Sequence, residues 1–430
     1  MIPKYLNLKY LIIIIFLLTF ISLYFLFKEA NNKSVIFFHP DGLGLNSWSI
    51  IRMAKVGPDG ELNYDKIKNM AIYKGHMKDN LHASSHGAAT THAYGKKVPI
   101  NSYGMDGNNP IKDLFHKNKL SIAYEAMANE KSVGIINSGT ITEPGTGAFL
   151  AQVKNRNNHD EIAKQIIESN ADVILGGGEQ YFLPKDVKGF YDMGKRTDGL
   201  NLIDLAKKKG YYVIYTKEEL ENLPKDVNKL LGLFAIKHSF NDKTEEELLE
   251  KKQFLFSTKA PTIAQMTKAA LKILAKNKKG FLLIAEEEAT DNFGNKTNAT
   301  GLIESGIRAD NALGEIINFI DQNPNTTLIT TSDSDAGGAQ ALGIGINGHS
   351  QKKLASKEPI NYDGIWGSKE KPFLAKKDKN GQTLPFYVIW NSRSDIAGGI
   401  IAKAYGLNAK NLEGTIDNTQ IYHLIKKSLF

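Results

Sequence analysis

The chain has no cysteine among its 430 residues. That excludes disulfides, thiolate metal sites and a cysteine nucleophile. It has no internal repeats. Charge is missing from Tyr10 to Phe27, an apolar run of 18 residues preceded by Lys4 and Lys9. Such a run stands at the lower edge of a bilayer span and is long for a signal-peptide core. The stretch that follows, Lys28-Glu29-Ala30-Asn31-Asn32, lacks a small-x-small cleavage site. Residues 1–32 therefore read as an uncleaved signal anchor, with the lysines inside and the rest of the chain outside. A cleaved signal peptide is the alternative. Either way the expectation is a periplasmic or extracytoplasmic protein, tethered to the membrane by its N-terminal segment or secreted if that segment is cut.

The remaining residues are numerous enough to bury a substantial core. Net charge is +8, with lysines spread along the whole chain. This describes a solvated basic surface, with weak attraction to anionic substrates or membrane surfaces as the alternative, and no nucleic-acid partner is expected. Short apolar runs at Ser34–His39, Val133–Asn137, Val173–Leu175, Tyr211–Tyr215, Phe281–Ala285, Thr327–Thr331 and Phe386–Trp390 read as strands. Helical periodicity lies between them at Ile111–Asn129, Asp160–Ser169, Pro261–Lys276, Leu302–Ile320 and Thr419–Leu429. The alternation predicts an α/β fold, a three-layer α/β/α sandwich around a mostly parallel sheet. Ligands of such sheets sit beyond the carboxyl ends of the strands. Gly337–Gly381, rich in Gly, Lys and Asn and without periodicity, reads as an insertion or lid, or as a disordered loop.

Acidic residues fall where those strands end. Asp41 follows the first strand, Glu286 and Asp291 follow FLLIA, and Asp333 follows TLITT. Each alone is an ordinary turn former or helix cap. Together at one sheet edge they suggest a hard-cation site, because clustered carboxylates repel unless a metal neutralises them. Ser85 opens a small-residue segment, SSHGAATTHAYG, where a helix N-terminus would offer N–H groups to an anion. A serine there is usually a cap, yet it can attack a phosphoryl group when a metal or base removes its proton.

These segments resemble the alkaline phosphatase family. PDGLG at 40–44 resembles its first metal-binding turn and SSHGAATTHAYGKK at 84–97 its nucleophile segment. DVILGGGEQYF at 172–182, FLLIAEEEATD at 281–291, TTSDS at 330–334 and IDNTQIYH at 416–423 follow in the family's order. The resemblance implies a catalytic domain over 33–430 that hydrolyses phosphate monoesters through a phosphoserine on Ser85. It implies that Arg156, in AQVKNR, clamps phosphate oxygens, a bidentate task suited to a guanidinium. Asp41 falls on a ligand bridging two metal positions, Glu286 and Thr146 on ligands of the magnesium position, and Asp291 and Asp333 on ligands of two zinc positions. A one-residue shift would put Gly145 in place of Thr146. Family members are often homodimers, and exported ones release phosphate for uptake; diesterases and sulfatases belong to the same superfamily.

The zinc-binding histidines of the family are absent from the matching positions. Asn295 stands four residues after Asp291, Ser334 follows Asp333, and Lys379 stands where a third imidazole is usual. One explanation is a harder second ion beside Mg²⁺, such as Ca²⁺ or Mn²⁺, on oxygen ligands including Asn295 and Ser334, in place of Zn²⁺. Another is replacement imidazoles from His39, His86, His92 or His349; His86, next to Ser85, would serve as base, ligand or substrate contact. A third is a degenerate site, against which the retention of Ser85, Arg156 and all the carboxylates argues. Lys379 carries its own expectation, an ammonium that neutralises the leaving oxygen, beside the ordinary reading of a solvent-facing lysine.

Overall fold

The computed structural model describes residues 12–19, 32–112, 120–343, 365–368 and 370–430. Among the described residues, fifteen strands lie in three sheets. They are β1 (Ser34–Pro40), β2 (Asn69–Lys74), β3 (Ser132–Thr140), β4 (Val173–Gly177), β5 (Tyr212–Ile214), β6 (Leu230–Leu233), β7 (Phe281–Glu287) and β8 (Thr326–Thr330). After them come β9 (Asp335–Ala336), β10 (Gln340–Gly343), β11 (Phe373–Leu374), β12 (Pro385–Ile389), β13 (Asp395–Ile396), β14 (Ile400–Gly406) and β15 (Gly414–Asp417). The main sheet has ten strands in the order β15-β2-β14-β8-β1-β7-β3-β4-β6-β5. β14 runs antiparallel to both neighbours, and the other pairings are parallel.

Alternation along the central strands explains why helices cover both faces. Val35 and Phe37 join one core, with helices Ser85–Tyr94, Ile122–Ala128, His159–Ser169 and Gln420–Leu429. Ile36 and Phe38 point the other way, into a core with helices Leu45–Lys55, Ile263–Leu274 and Ala299–Gln322. Buried on both sides, these strands are apolar throughout, as parallel strands under crossover helices must be. The three-layer reading of the sequence holds.

One expectation changes. Phe386–Trp390 does not join the central strands: β12 pairs antiparallel with β10 and β11 in a separate small sheet. β10 and β11 lie in the described flanks of 337–381, the segment expected as an insertion, lid or disordered loop. The small sheet rests on helix Leu45–Lys55, where Lys376 N–H donates to the Met53 carbonyl at 2.9 Å. Residues 344–364, and His349 with them, lie outside the described residues. So does the expected anchor apart from 12–19, which are helical, and no described helix is long and apolar enough to cross a membrane.

Candidate active site

The carboxyl ends of β1, β7, β8 and β3 meet at one edge of the sheet, and their side chains build the site. Along β1 and the residue after it, the side chains of Phe37, His39 and Asp41 follow the alternation onto one face. The parallel register sets His39 beside Glu286 of β7, and Asn137 of β3 on the other side of Glu286. Asp41, Glu286 and Asp333 are buried. His39 Nε2 lies 3.1 Å from Asp41 Oδ1 and 3.9 Å from Asp333 Oδ1. Gly42 then turns the chain with φ +66°; a Cβ there would meet Ala336 Cβ at 2.6 Å and Asp291 Oδ1 at 2.9 Å. Only glycine permits both that φ and that approach.

Asp291 lies in helix Ala289–Asn295, which starts immediately after β7. Asn295, one turn later, donates from Nδ2 to Asp291 Oδ1 at 3.0 Å and to Asp395 Oδ1 at 2.9 Å. Asp395 arrives because β13 pairs with β9, which begins two residues after Asp333. The sequence carries no local sign of its role, since only this pairing brings it to the site.

Ser85 is the first residue of helix Ser85–Tyr94, whose cap residue Ser84 is extended and makes no side-chain cap hydrogen bond. The helix's first N–H groups are thus left for another acceptor. The Ser85 hydroxyl lies against the Asp41 carboxylate and helps to hold it ionised. Arg156 reaches the same place: Nη2 donates to Glu143 Oε2 at 2.8 Å, and Nη1 lies 3.3 Å from His86 Nδ1. Burial and the Arg156 charge push His86 down to about 4, so its ring is neutral and accepts. Ser84 Oγ, 3.1 Å away, touches the same nitrogen.

Glu143 is a site residue that the strand-end argument missed, because it caps a helix of only four residues, Pro144–Gly147, beyond β3. Gly145 in that turn abuts Glu286: a Cβ would lie 1.7 Å from Oε1. Thr146 is one step removed, its Oγ1 taking a 3.2 Å hydrogen bond from Asn137 Nδ2, which also donates to Glu286. Glu288, buried after β7, completes the acidic wall with Asp41 and Asp291.

Lys379 is not brought to this edge. Its backbone N–H donates to Asp59, and its neighbours Lys376 and Lys377 pack on Gly57, just past the end of helix Leu45–Lys55. That helix begins beside Asp335 at the site, and its 11 residues put Lys379 roughly 16 Å away at 1.5 Å per residue. Lys379 therefore does not take the leaving-group role expected of it.

The electrostatics show what the cluster needs. Burial pushes the carboxyls of Glu286, Glu288, Asp291 and Asp333 well above their usual range, and neighbouring acids push them further. Asp41 goes the other way: the facing His39 charge overcomes burial and holds it at about 2. Burial lowers His39, but Asp41, Asp333 and Glu286 outweigh this and lift it to about 9. Among the described residues no donor reaches Asp41 Oδ2, Glu286 Oε1, Glu288 Oε2, either Asp333 oxygen, Ser334 Oγ or Asn295 Oδ1. Each such buried acceptor costs about 1–3 kcal/mol or more when charged. Divalent cations would satisfy these atoms and relieve the repulsion, so the residues fit bound metal. Two three-residue sets, His39–Asp41–Glu286 and Asp41–Glu288–Asp291, each bring their ligand atoms within 4.8 Å of one another.

A sheet edge with a serine on a helix N-terminus, an arginine and a carboxylate cage defines a metal-assisted hydrolase site. The alkaline phosphatase family model matches residues 32–430, and the chain belongs to that family. By class it is a phosphoric monoester hydrolase, and the family uses divalent metals. Alkaline phosphatase 4 of Bacillus subtilis (strain 168) is 28% identical over 368 residues, 83% of this chain and 70% of that protein. The tissue-nonspecific isozyme of Felis catus is 28% identical over 70% of this chain, which spans 63% of its length. Alkaline phosphatase from the Antarctic bacterium TAB5 superposes with a TM-score of 0.70 at 22% identity, covering 93% of this chain and 98% of that one. The Thermus thermophilus structure gives 0.71 at 20% identity, with 93% of both chains covered. A TAB5 variant with glutamate in place of one histidine has Mg bound in its M3 site, with a TM-score of 0.68, 22% identity and the same coverage, 93% and 98%.

Proposed function

We propose that this chain hydrolyses phosphate monoesters through a phosphoserine on Ser85. The observation that carries the reading is the meeting of three things at one edge: the Ser85 hydroxyl, the Arg156 guanidinium and a buried carboxylate cage. The uncapped N–H groups of helix Ser85–Tyr94 and Arg156 bind the phosphoryl oxygens and fix phosphorus in line with Ser85 Oγ. Glu143 and neutral His86 hold the guanidinium plane. Ser85 Oγ bonds to phosphorus as the ester P–O bond breaks, and the alcohol leaves with a proton. Water then attacks the phosphoserine, releasing inorganic phosphate and restoring the hydroxyl. Cations held by Asp41, Asp333, Glu286, Glu288 and Asp291 would supply Lewis-acid charge beside Ser85 and the leaving oxygen.

We assign Mg²⁺ to the carboxylate of Glu286, whose buried Oε1 has no donor among the described residues, oxygen being the donor chemistry a hard cation prefers. The apolar run from Tyr10 to Phe27 supports an activity outside the cytoplasm, held at a membrane and releasing phosphate for uptake. The test is turnover of aryl monoester, diester and sulfate by purified protein, with Mg²⁺, Mn²⁺, Ca²⁺ and Zn²⁺ supplied singly and in pairs. Monoester turnover that exceeds the other two and is lost on chelation supports the reading. Preference for diester or sulfate, or no turnover with any metal, would overturn it.

A further inference from the structure

We infer that His39 is a direct ligand of the cation held between Asp41 and Asp333, supplying from β1 the imidazole that the family pattern places after Asp333. The inference rests on the metal-site reading above and specifies which of this chain's residues serve it.

Position comes first. His39 is the last but one residue of β1, on the same face as Asp41 and in register with Glu286. The strand is buried on both sides, so the ring is aimed into the site by the pleat rather than by a flexible loop. At 3% exposure it has no route to solvent. Its Nε2 faces Asp41 Oδ1 and Asp333 Oδ1, and forms with Asp41 and Glu286 a set of ligand atoms within 4.8 Å.

Valence comes second. A proton on Nε2 can serve one carboxylate at hydrogen-bond distance, and Asp41 takes it. Both oxygens of Asp333, which is 2% exposed, are left without a donor, as is Asp41 Oδ2. A cation bonded to Nε2 would satisfy all of them at once, and the ring proton would stand on Nδ1. Ser334, at the position where the family has its imidazole, offers only a buried hydroxyl without a partner.

The other site histidines each have one ring nitrogen engaged elsewhere, though His92 Nδ1 is buried without a partner among the described residues. His92 Nε2 pairs with the Tyr73 hydroxyl at 2.7 Å, and His86 Nδ1 meets Ser84 and Arg156. The consequence is an asymmetric centre. One imidazole among carboxylates suits a borderline ion such as Mn²⁺, Co²⁺ or Zn²⁺, whereas the set of Asp41, Glu288 and Asp291, with no imidazole in it, suits Mg²⁺ or Ca²⁺.

The test uses the full chain loaded with Mn²⁺ and read by pulsed electron paramagnetic resonance. Imidazole nitrogen modulation in the parent protein, lost in His39→Ala and restored in the double variant His39→Ala/Ser334→His, is the expected result. Parent protein without nitrogen modulation, or modulation that persists in His39→Ala, would overturn the assignment. Should His39→Ala fail to fold, His39→Gln and the parent spectrum decide the same point. Turnover without nitrogen coupling sinks the ligand assignment alone. Coupling without turnover of any phosphate ester keeps His39 as ligand and sinks the phosphatase reading.

Discussion

The guanidinium of Arg156 is held by the buried carboxylate of Glu143, Nη2 to Oε2 at 2.8 Å. These residues stand 13 apart in the chain, and the turn Pro144–Gly147 folds between them. Glu143 therefore sets where the phosphate clamp points. Replacing it by Gln keeps the shape and removes the charge. We expect Glu143→Gln to raise KM for aryl phosphate and weaken inhibition by inorganic phosphate about ten-fold, and Arg156→Ala to lower kcat/KM roughly 10²–10³-fold. Steady-state kinetics of both variants check this; equal effects on kcat and none on KM would remove Glu143 from the clamp.

Ser85→Ala should lower turnover at least roughly 10³-fold, because the neighbouring hydroxyl, Ser84 Oγ, is turned to the Ile100 carbonyl and cannot take its place. Metal content should stay at the parent level. Acid quenching with a labelled monoester should trap phosphoserine in the parent and nothing in the variant. A phosphorylated variant would show that the nucleophile is another residue.

Gly145→Ala places a methyl 1.7 Å from Glu286 Oε1. Glu286 cannot easily retreat, since Asn137 holds it and β7 buries it. The variant should fold and lose Mg²⁺, measured by metal analysis after dialysis. Parent-level Mg²⁺ would place that ion elsewhere.

Asp395→Asn tests the residue that β13 delivers. Asp291 is pushed well above the carboxylate range first by burial and then by the Asp395 charge. With chelator present the variant should melt at a higher temperature than the parent, because one repulsion is gone. With metal present it should be stabilised less than the parent, because a ligand is gone. Calorimetry under both conditions reads the two effects with opposite signs.

Chelated protein should lose stability as pH rises from 6.5 to 8. In the fold His39 keeps its proton up to about 9, whereas its ordinary value is 6.5, so the folded chain binds more protons in that window. Stability must then fall with increasing pH. Glu287, raised to about 7 by burial, adds the same sign at the lower end. Bound metal displaces the His39 proton and should flatten or reverse the slope. Thermal midpoints of chelated and loaded protein across this range provide the measurement.

Much of the architecture was legible because the central strands are buried on both faces, which writes them as continuous apolar runs. Ser34–Pro40 and Phe281–Glu287 are such runs. β2 (NMAIYK) and β15 (GTID) escaped because they lie at the sheet's outer end, where alternate residues are exposed and the apolar signal thins. Asp41, Asp291 and Asp333 were visible as acids at strand ends. Glu143 and Asp395 were not, since neither follows a strand of the main sheet directly.

By itself the sequence determined the α/β alternation, the serine at a helix start, the family pattern and the missing imidazoles after Asp291 and Asp333. Hydrophobic periodicity and local motif spacing are properties of neighbouring residues, so one dimension suffices to read them. The tertiary structure decided which side chains meet: His39 beside Asp41 and Asp333, Asp395 against Asn295, Glu143 on Arg156, and the Lys379 backbone against Asp59. Those choices are made by strand register and by the pairing of β9 with β13. Such contacts join residues far apart in the chain, and only the folded sheet brings them within bonding distance.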